Sequence, residues 1–184
     1  MKKAIFILFL ATVVSAVEPE EEEMYEPHQH EIGSLAVGWT RFFNFVDSYS
    51  KPSGISLALL APINIQAAKA HIKIKGTYFN VEGDNFTGMA SIVNEVLVGK
   101  IVYEEDYLFV LPQLGFGGRS ESLFYKFDDG YFNVKLFIDA SIWFDYHLET
   151  FSAGLMFNFE HDLPSEDASF ISDKRFNISF ILTK

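Results

Sequence analysis

The stretch FNVKLFIDASIWF, residues 132–144, decides the fold. Its even positions, Phe132, Val134, Leu136, Ile138, Ala140, Ile142 and Phe144, are all apolar, whereas its odd positions include Asn133, Lys135, Asp139 and Ser141. A period of two is the mark of a β-strand with one apolar and one polar face. The question is whether the apolar face meets a protein core or lipid.

The same alternation recurs on either side. Phe151, Ala153, Leu155, Phe157 and Phe159 oppose Ser152, Gly154, Met156, Asn158 and Glu160, and Phe176, Ile178, Phe180 and Leu182 oppose Asn177, Ser179 and Thr183. Nearer the start, Ala70, Ile72, Ile74 and Tyr78 oppose His71, Lys73, Lys75 and Thr77. Two further stretches, 54–65 and 88–102, are apolar on both faces and do not declare an orientation. No stretch holds a helical period, although NIQAAK at 64–69 has room for one helical turn.

Eight strands are predicted, at 32–43, 54–65, 68–80, 88–102, 106–117 with a continuation toward 127, 130–144, 149–160 and 174–184. Many exceed the usual 5–6 residues of a globular strand and match the roughly 9–11 of a tilted membrane-spanning one. The links 43–53, 80–87 and 161–173 are long, whereas 64–69, 103–106 and 145–148 are short. Short turns at one rim and longer loops at the other are the rhythm of an up-and-down barrel. Asp129-Gly130 reads as a two-residue hairpin turn joining a ribbon that extends past the membrane, with an open edge suited to strand addition. Pro112 has no edge to occupy in a closed barrel, so a bulge is expected there.

The 184 residues suit one domain, and 49% hydrophobic content with twenty Phe excludes disorder over most of the length. MKKAIFILFLATVVSA, residues 1–16, has the basic start, short apolar run and small-residue cleavage site of a secretory signal. Residues 17–31 form a glutamate-rich leader that reads as solvated and disordered. With no cysteine, disulfides and a lipid-anchored N-terminus are excluded. Loss of Lys2 and Lys3 with the signal leaves 12 basic against 25 acidic residues, a mature charge of −13, which argues against nucleic acid.

The reading is therefore all-β: residues 32–184 as an eight-stranded antiparallel up-and-down transmembrane barrel, its apolar faces against lipid. The polar faces then meet in the lumen, where His71, Lys73, Lys75, Lys135, Asp139 and Glu160 are expected to form a network, packed round by Phe137 and Trp143. Charges of both signs must pair there, because an unpaired buried charge is very costly. Trp39, Tyr103, Tyr107, Tyr131, Trp143 and Phe144, near strand ends, are read as interfacial aromatics.

A signal, a short acidic leader and eight alternating strands resemble the small outer-membrane β-barrels, such as the membrane domain of outer-membrane protein A and its stand-alone relatives. The resemblance implies residence in the outer membrane of a Gram-negative-type bacterium and a structural or adhesive role through loops 43–53, 80–87, 118–130 and 161–173. It departs at Phe180-Ile181-Leu182-Thr183-Lys184, where such barrels usually end on an aromatic residue. The partners implied are outer-membrane lipid and a surface ligand of the loops, with the chain a monomer and no cofactor.

Two rivals remain open from the residues. A lipid-modifying enzyme needs a histidine held by an acid near a serine, and His147 lies beside Asp145 and Glu149, His161 beside Glu160 and Asp162. A soluble ligand-binding barrel of the lipocalin sort would turn its apolar face inward. His28 and His30 sit in the leader, where solvation is the simpler role than metal binding.

Overall fold

The structure, a computed structural model, describes residues 33–42, 53–65, 68–80, 86–105, 107–125, 131–148, 150–164 and 174–184. The secretory signal, the acidic leader with His28 and His30, and the tip at Asp129-Gly130 lie outside them. Nine strands follow in order: β1 (Ser34–Phe42), β2 (Ser53–Ile65), β3 (Ala68–Asn80), β4 (Phe86–Gly99), β5 (Tyr103–Glu105), β6 (Leu108–Tyr125), β7 (Tyr131–His147), β8 (Ser152–Asp162) and β9 (Lys174–Thr183). All pairings are antiparallel, and pairing of β4 with β6 and of β1 with β9 closes eight of them into a ring. The three-residue β5 lies outside that ring and folds back on the start of β6.

The closure has a definite stagger. From Trp143 the register runs through Met156, Ser179, Gly38, Ser56, Thr77, Ser91 and Glu121, and returns to β7 at Asn133, ten residues from where it began. Such an offset tilts the strands against the barrel axis and leaves eight strands an interior just wide enough for side chains. The first and last strands meet at the short-turn rim, where Ser34 and Thr183 pair and share a hydroxyl hydrogen bond of 2.7 Å.

Alternation sorts each strand of the ring into a wall-facing and a lumen-facing set. On β7, Phe132, Val134, Leu136, Ile142, Phe144 and Tyr146 are exposed, while Lys135, Phe137, Asp139, Ser141, Trp143 and Asp145 are buried. On β2 and β4 the structure supplies the orientation that hydropathy withheld. Ile55, Leu57 and Leu59 face out and Ser56, Ala58 and Leu60 face in; Ile92, Val96 and Val98 face out and Ser91, Val93, Glu95 and Leu97 face in.

Several local expectations are corrected. Asn64↔Lys69 and Ile65↔Ala68 pair as strand, so these four residues of NIQAAK belong to β2 and β3 rather than to a helical turn. The expected continuation of 106–117 toward 127 holds as one strand, β6, which ends at Tyr125, so most of 118–130 is strand rather than loop. The β6–β7 ladder sets Leu123 opposite Tyr131, and the Asp129-Gly130 tip lies outside the described residues. Nor is the edge of β6 open, since β4 pairs along it as far as Phe86↔Tyr125.

Pro112 also needs no bulge. It pairs in unbroken register with Ile142, and the one shift along β6 lies between Phe86 and Gly88 of β4. Residues two apart present their backbone polar groups to the same side. The carbonyl of Val110 accepts from the N–H of Val102 at 3.0 Å, so the missing N–H of Pro112 points the same way. That is the interval between the end of β4, at Gly99↔Gln113, and β5, at Tyr103↔Val110, where no ladder requires a donor. Gly99 belongs to the same arrangement: a Cβ there would run into the Pro112 carbonyl and meet Gln113 Cγ at 2.8 Å. Gly99→Val is expected to cost about 1–3 kcal/mol, read as a lower urea midpoint of the folded barrel.

Candidate functional site: a charged lumen within an apolar wall

Lumen-facing side chains fall into tiers because each strand changes character along its length. Toward the short-turn rim lies an apolar cluster of Ala36, Ala58, Leu60, Leu97, Phe109, Leu111, Trp143, Met156 and Ile181. Phe109 meets the Trp143 ring edge-on at 5.8 Å, and His71 lies 5.4 Å from it on the other side, 3.0 Å from the amide of Gln113 through Nδ1.

Further along β3, β4, β6, β7, β8 and β9 the lumen becomes ionic. Lys73 pairs with Glu95 and, at 3.5 Å, with Asp139, whose carboxylate also accepts from Asn158 Nδ2 at 2.8 Å. Lys75 pairs with one oxygen of Glu160, and Arg119 donates to the other at 2.7 Å. Arg119 reaches Asp162 and, at 3.1 Å, Glu121; Lys135 joins Asp162 at 3.3 Å, and Arg175 joins Glu121. Ten buried side chains, five cationic and five anionic, are thereby matched in sign. Each charge taken from water costs several kcal/mol, and only close opposite partners offset that.

Toward the long-loop rim the lining turns aromatic. Phe42 and Phe79 pack at 4.7 Å between centroids, with the Arg175 guanidinium 4.3 Å from the Phe42 ring, and Arg119 lies 5.1 Å from that of Phe137. Met89 is buried at the same end. The ion pairs thus lie between two apolar tiers, which lowers the local dielectric and strengthens them.

Of the residues read from sequence, His71, Lys73, Lys75, Lys135, Asp139 and Glu160 are all buried in this lumen. Sequence reading missed Glu95, Arg119, Glu121, Asp162 and Arg175. The alternation itself carried some of them: Asp162 lies two residues after Glu160 and Arg175 two before Asn177. Among the interfacial aromatics, Trp39, Tyr103, Tyr107 and Phe144 are exposed. Trp143, read both as lumen packing and as an interfacial aromatic, shares the odd face of β7 with Asp139 and is only 1% exposed, so the lumen reading holds and the interfacial one is corrected. Tyr131 is the residue opposite Leu123 in the β6–β7 ladder. At the short-turn rim a hydrogen bond to Glu105 raises the Tyr103 phenol above its ordinary pKa.

The histidine–acid pairs fare differently. Glu160 and Asp162 face the lumen, so alternation turns His161 away from both. His147 packs 5.1 Å from Phe109, on the side where Asp145 is buried. Among the described residues no group of three His, Cys, Asp or Glu is placed to hold a metal ion.

A ring of this size, stagger and connectivity is an eight-stranded antiparallel up-and-down barrel with the fold of the small outer-membrane barrels. Among solved structures it is similar to neisserial surface protein A, with a TM-score of 0.58 at 9% identity over 82% of this chain and 94% of that one. It is also similar to the attachment invasion locus protein of Yersinia pestis, with a TM-score of 0.51 at 14% identity over 82% of this chain and 95% of that one. At such identities the likeness is one of fold. No family model matches the chain, and no curated protein matches it in sequence.

Proposed function

We propose that the chain is an integral outer-membrane protein, exported by its signal at 1–16, non-enzymatic and monomeric, whose lumen is sealed by its ion pairs and apolar tiers. Its work is structural or adhesive, carried by the segments joining strands at the long-loop rim. Loops 43–53, 80–87 and 161–173 belong to that rim; of 118–130, only 126–130 lies beyond β6.

The observation that carries this reading is the inversion of the usual protein. Large apolar side chains such as Leu57, Ile74, Ile92, Phe116, Leu155 and Phe180 are exposed on the wall, while ten paired charges are buried inside it. Contiguous apolar surface on this scale requires a nonaqueous neighbour, and a closed barrel satisfies every backbone group in lipid. A soluble lipocalin-like barrel would have the opposite polarity. The placement of His161 away from its acidic neighbours removes one of the two histidine–acid pairs that a lipid-modifying enzyme would use. The name of the Yersinia protein gives attachment a precedent on this fold.

The test is fractionation followed by electrophoresis with and without boiling in detergent. A membrane-bound band that migrates faster unboiled is expected. Recovery in the soluble fraction with no heat-dependent shift would overturn the reading.

A further inference from the structure

The apolar wall is taller on one side than on the other. On β7 the outward row runs Tyr146, Phe144, Ile142, Ala140, Ile138, Leu136, Val134 and Phe132 without a polar residue. Its last three members are 53%, 59% and 64% exposed. On β1, across the ring from β6, the outward row is Leu35, Val37 and Trp39 and then Arg41. The rows on β3 and β9 likewise reach Asn80 and Lys174 at the long-loop end.

Register puts these rows on a common scale. Lys174 pairs with His161, which pairs with Ile138. Because of the stagger, this line descends toward the short-turn rim from β9 to β7, by about two to three residues over two strands. The level of Lys174 on β7 therefore falls near Leu136, leaving Val134 and Phe132 above it. The row from Phe132 to Tyr146 spans roughly 36 Å of height at about 3.4 Å per residue and a tilt near 40°. A membrane barrel's apolar band is about 25 Å tall, so the overhang is about 10 Å.

Directly opposite the overhang, β6 presents small side chains, before Phe124 at its next outward position. Gly118, Ser120 and Ser122 pair with Leu136, Val134 and Phe132, and nothing lies within 4 Å of the position a Cβ would take at Gly118. The row on β7 stands proud of its neighbour and open to whatever packs against it.

We propose that this overhang is a lipid-contact surface, and that the barrel sits tilted in the bilayer with its β6–β7 side sunk until Phe132 meets hydrocarbon. The inference rests on the membrane reading above. Its occupant follows from continuity: the overhang prolongs the lipid-facing row with no polar break, and unequal apolar heights are accommodated by tilt or local thickening.

The experiment uses the mature chain in phosphatidylcholine vesicles carrying acyl-brominated lipid, which quenches tryptophan only within the hydrocarbon. Trp39→Phe removes the exposed native tryptophan, and Trp143, enclosed in the lumen, serves as a constant background. Three reporters are compared in that background: Phe132→Trp on the overhang, Leu59→Trp in mid-wall and Asn80→Trp on β3. Each is checked for folding by its heat-dependent gel shift, and Val134→Trp replaces Phe132→Trp if that variant does not fold. Phe132→Trp is expected to lose emission as fully as Leu59→Trp, while Asn80→Trp keeps its emission. Retained emission at Phe132→Trp with loss at Leu59→Trp overturns the tilt and leaves the membrane reading standing, and a cross-linked dimer in that case assigns the surface to a second copy. Retained emission at all three sites overturns both.

Discussion

Glu160→Ala is expected to destabilise the folded barrel by about 3–5 kcal/mol, the usual cost of removing one member of a buried ion pair. Glu160 is the junction of the network: one carboxylate oxygen takes Lys75 and the other takes Arg119 at 2.7 Å. Its loss leaves Lys75 without its ion-pair partner among the described residues, inside a lumen closed on both sides by apolar tiers. Arg119 retains Glu121 and Asp162, so the damage concentrates on Lys75. The quantity to measure is the urea midpoint and slope for unfolding from vesicles. A companion variant separates the price of an orphaned charge from loss of packing. Glu160→Leu combined with Lys75→Met removes both charges at similar volume and is expected to recover most of the loss. If Glu160→Ala instead unfolds within about 0.5 kcal/mol of the parent, as exposed substitutions do, the lumen is wet and the network does not seal it.

How much of this was legible beforehand depended on what each strand faces. On β7, β8 and β9 an exposed apolar wall lies on one side and the ionic tier on the other, so hydropathy alternates and the faces read correctly, down to Lys135, Asp139 and Glu160. On β2 and β4 the inward residues include Ala58, Leu60, Val93 and Leu97, part of an apolar lining. There both sides of the strand are greasy for different reasons, and the period of two disappears from the hydropathy. Trp143 was read at the interface by its residue type as well as in the lumen by its odd position with Asp139; parity was the stronger signal. Arg119 and Glu121 were overlooked because 118–130 was also read as a loop. The pairings themselves were out of reach. Lys75 and Glu160 are 85 residues apart, and only the closed ring with its ten-residue stagger brings them together.

The outer wall makes the second large prediction, because its two possible neighbours differ so much in what they tolerate. Leu59 is 60% exposed in the middle of β2, paired across the wall with Leu35 on one side and Ile74 on the other. If water lies outside, Leu59→Arg replaces an exposed side chain by one that water solvates better, and stability should move by no more than about 0.5 kcal/mol. If hydrocarbon lies outside, the guanidinium must sit near the midplane or drag headgroups and water toward it, at a cost of about 2–4 kcal/mol. The expected result is the larger loss, measured as the shift in urea unfolding from lipid vesicles and in the fraction of chain that gains the heat-dependent gel shift. Arg41, which already lies on the outer face at the long-loop end of β1, supplies the internal control. Arg41→Leu should change stability little, because a cation at the headgroup level is near its preferred environment. A penalty at Leu59 without one at Arg41 would show that depth within a bilayer, and not the charge itself, sets the cost. Equal and small effects at both positions would return the apolar wall to water, and with it the whole assignment of inside and outside.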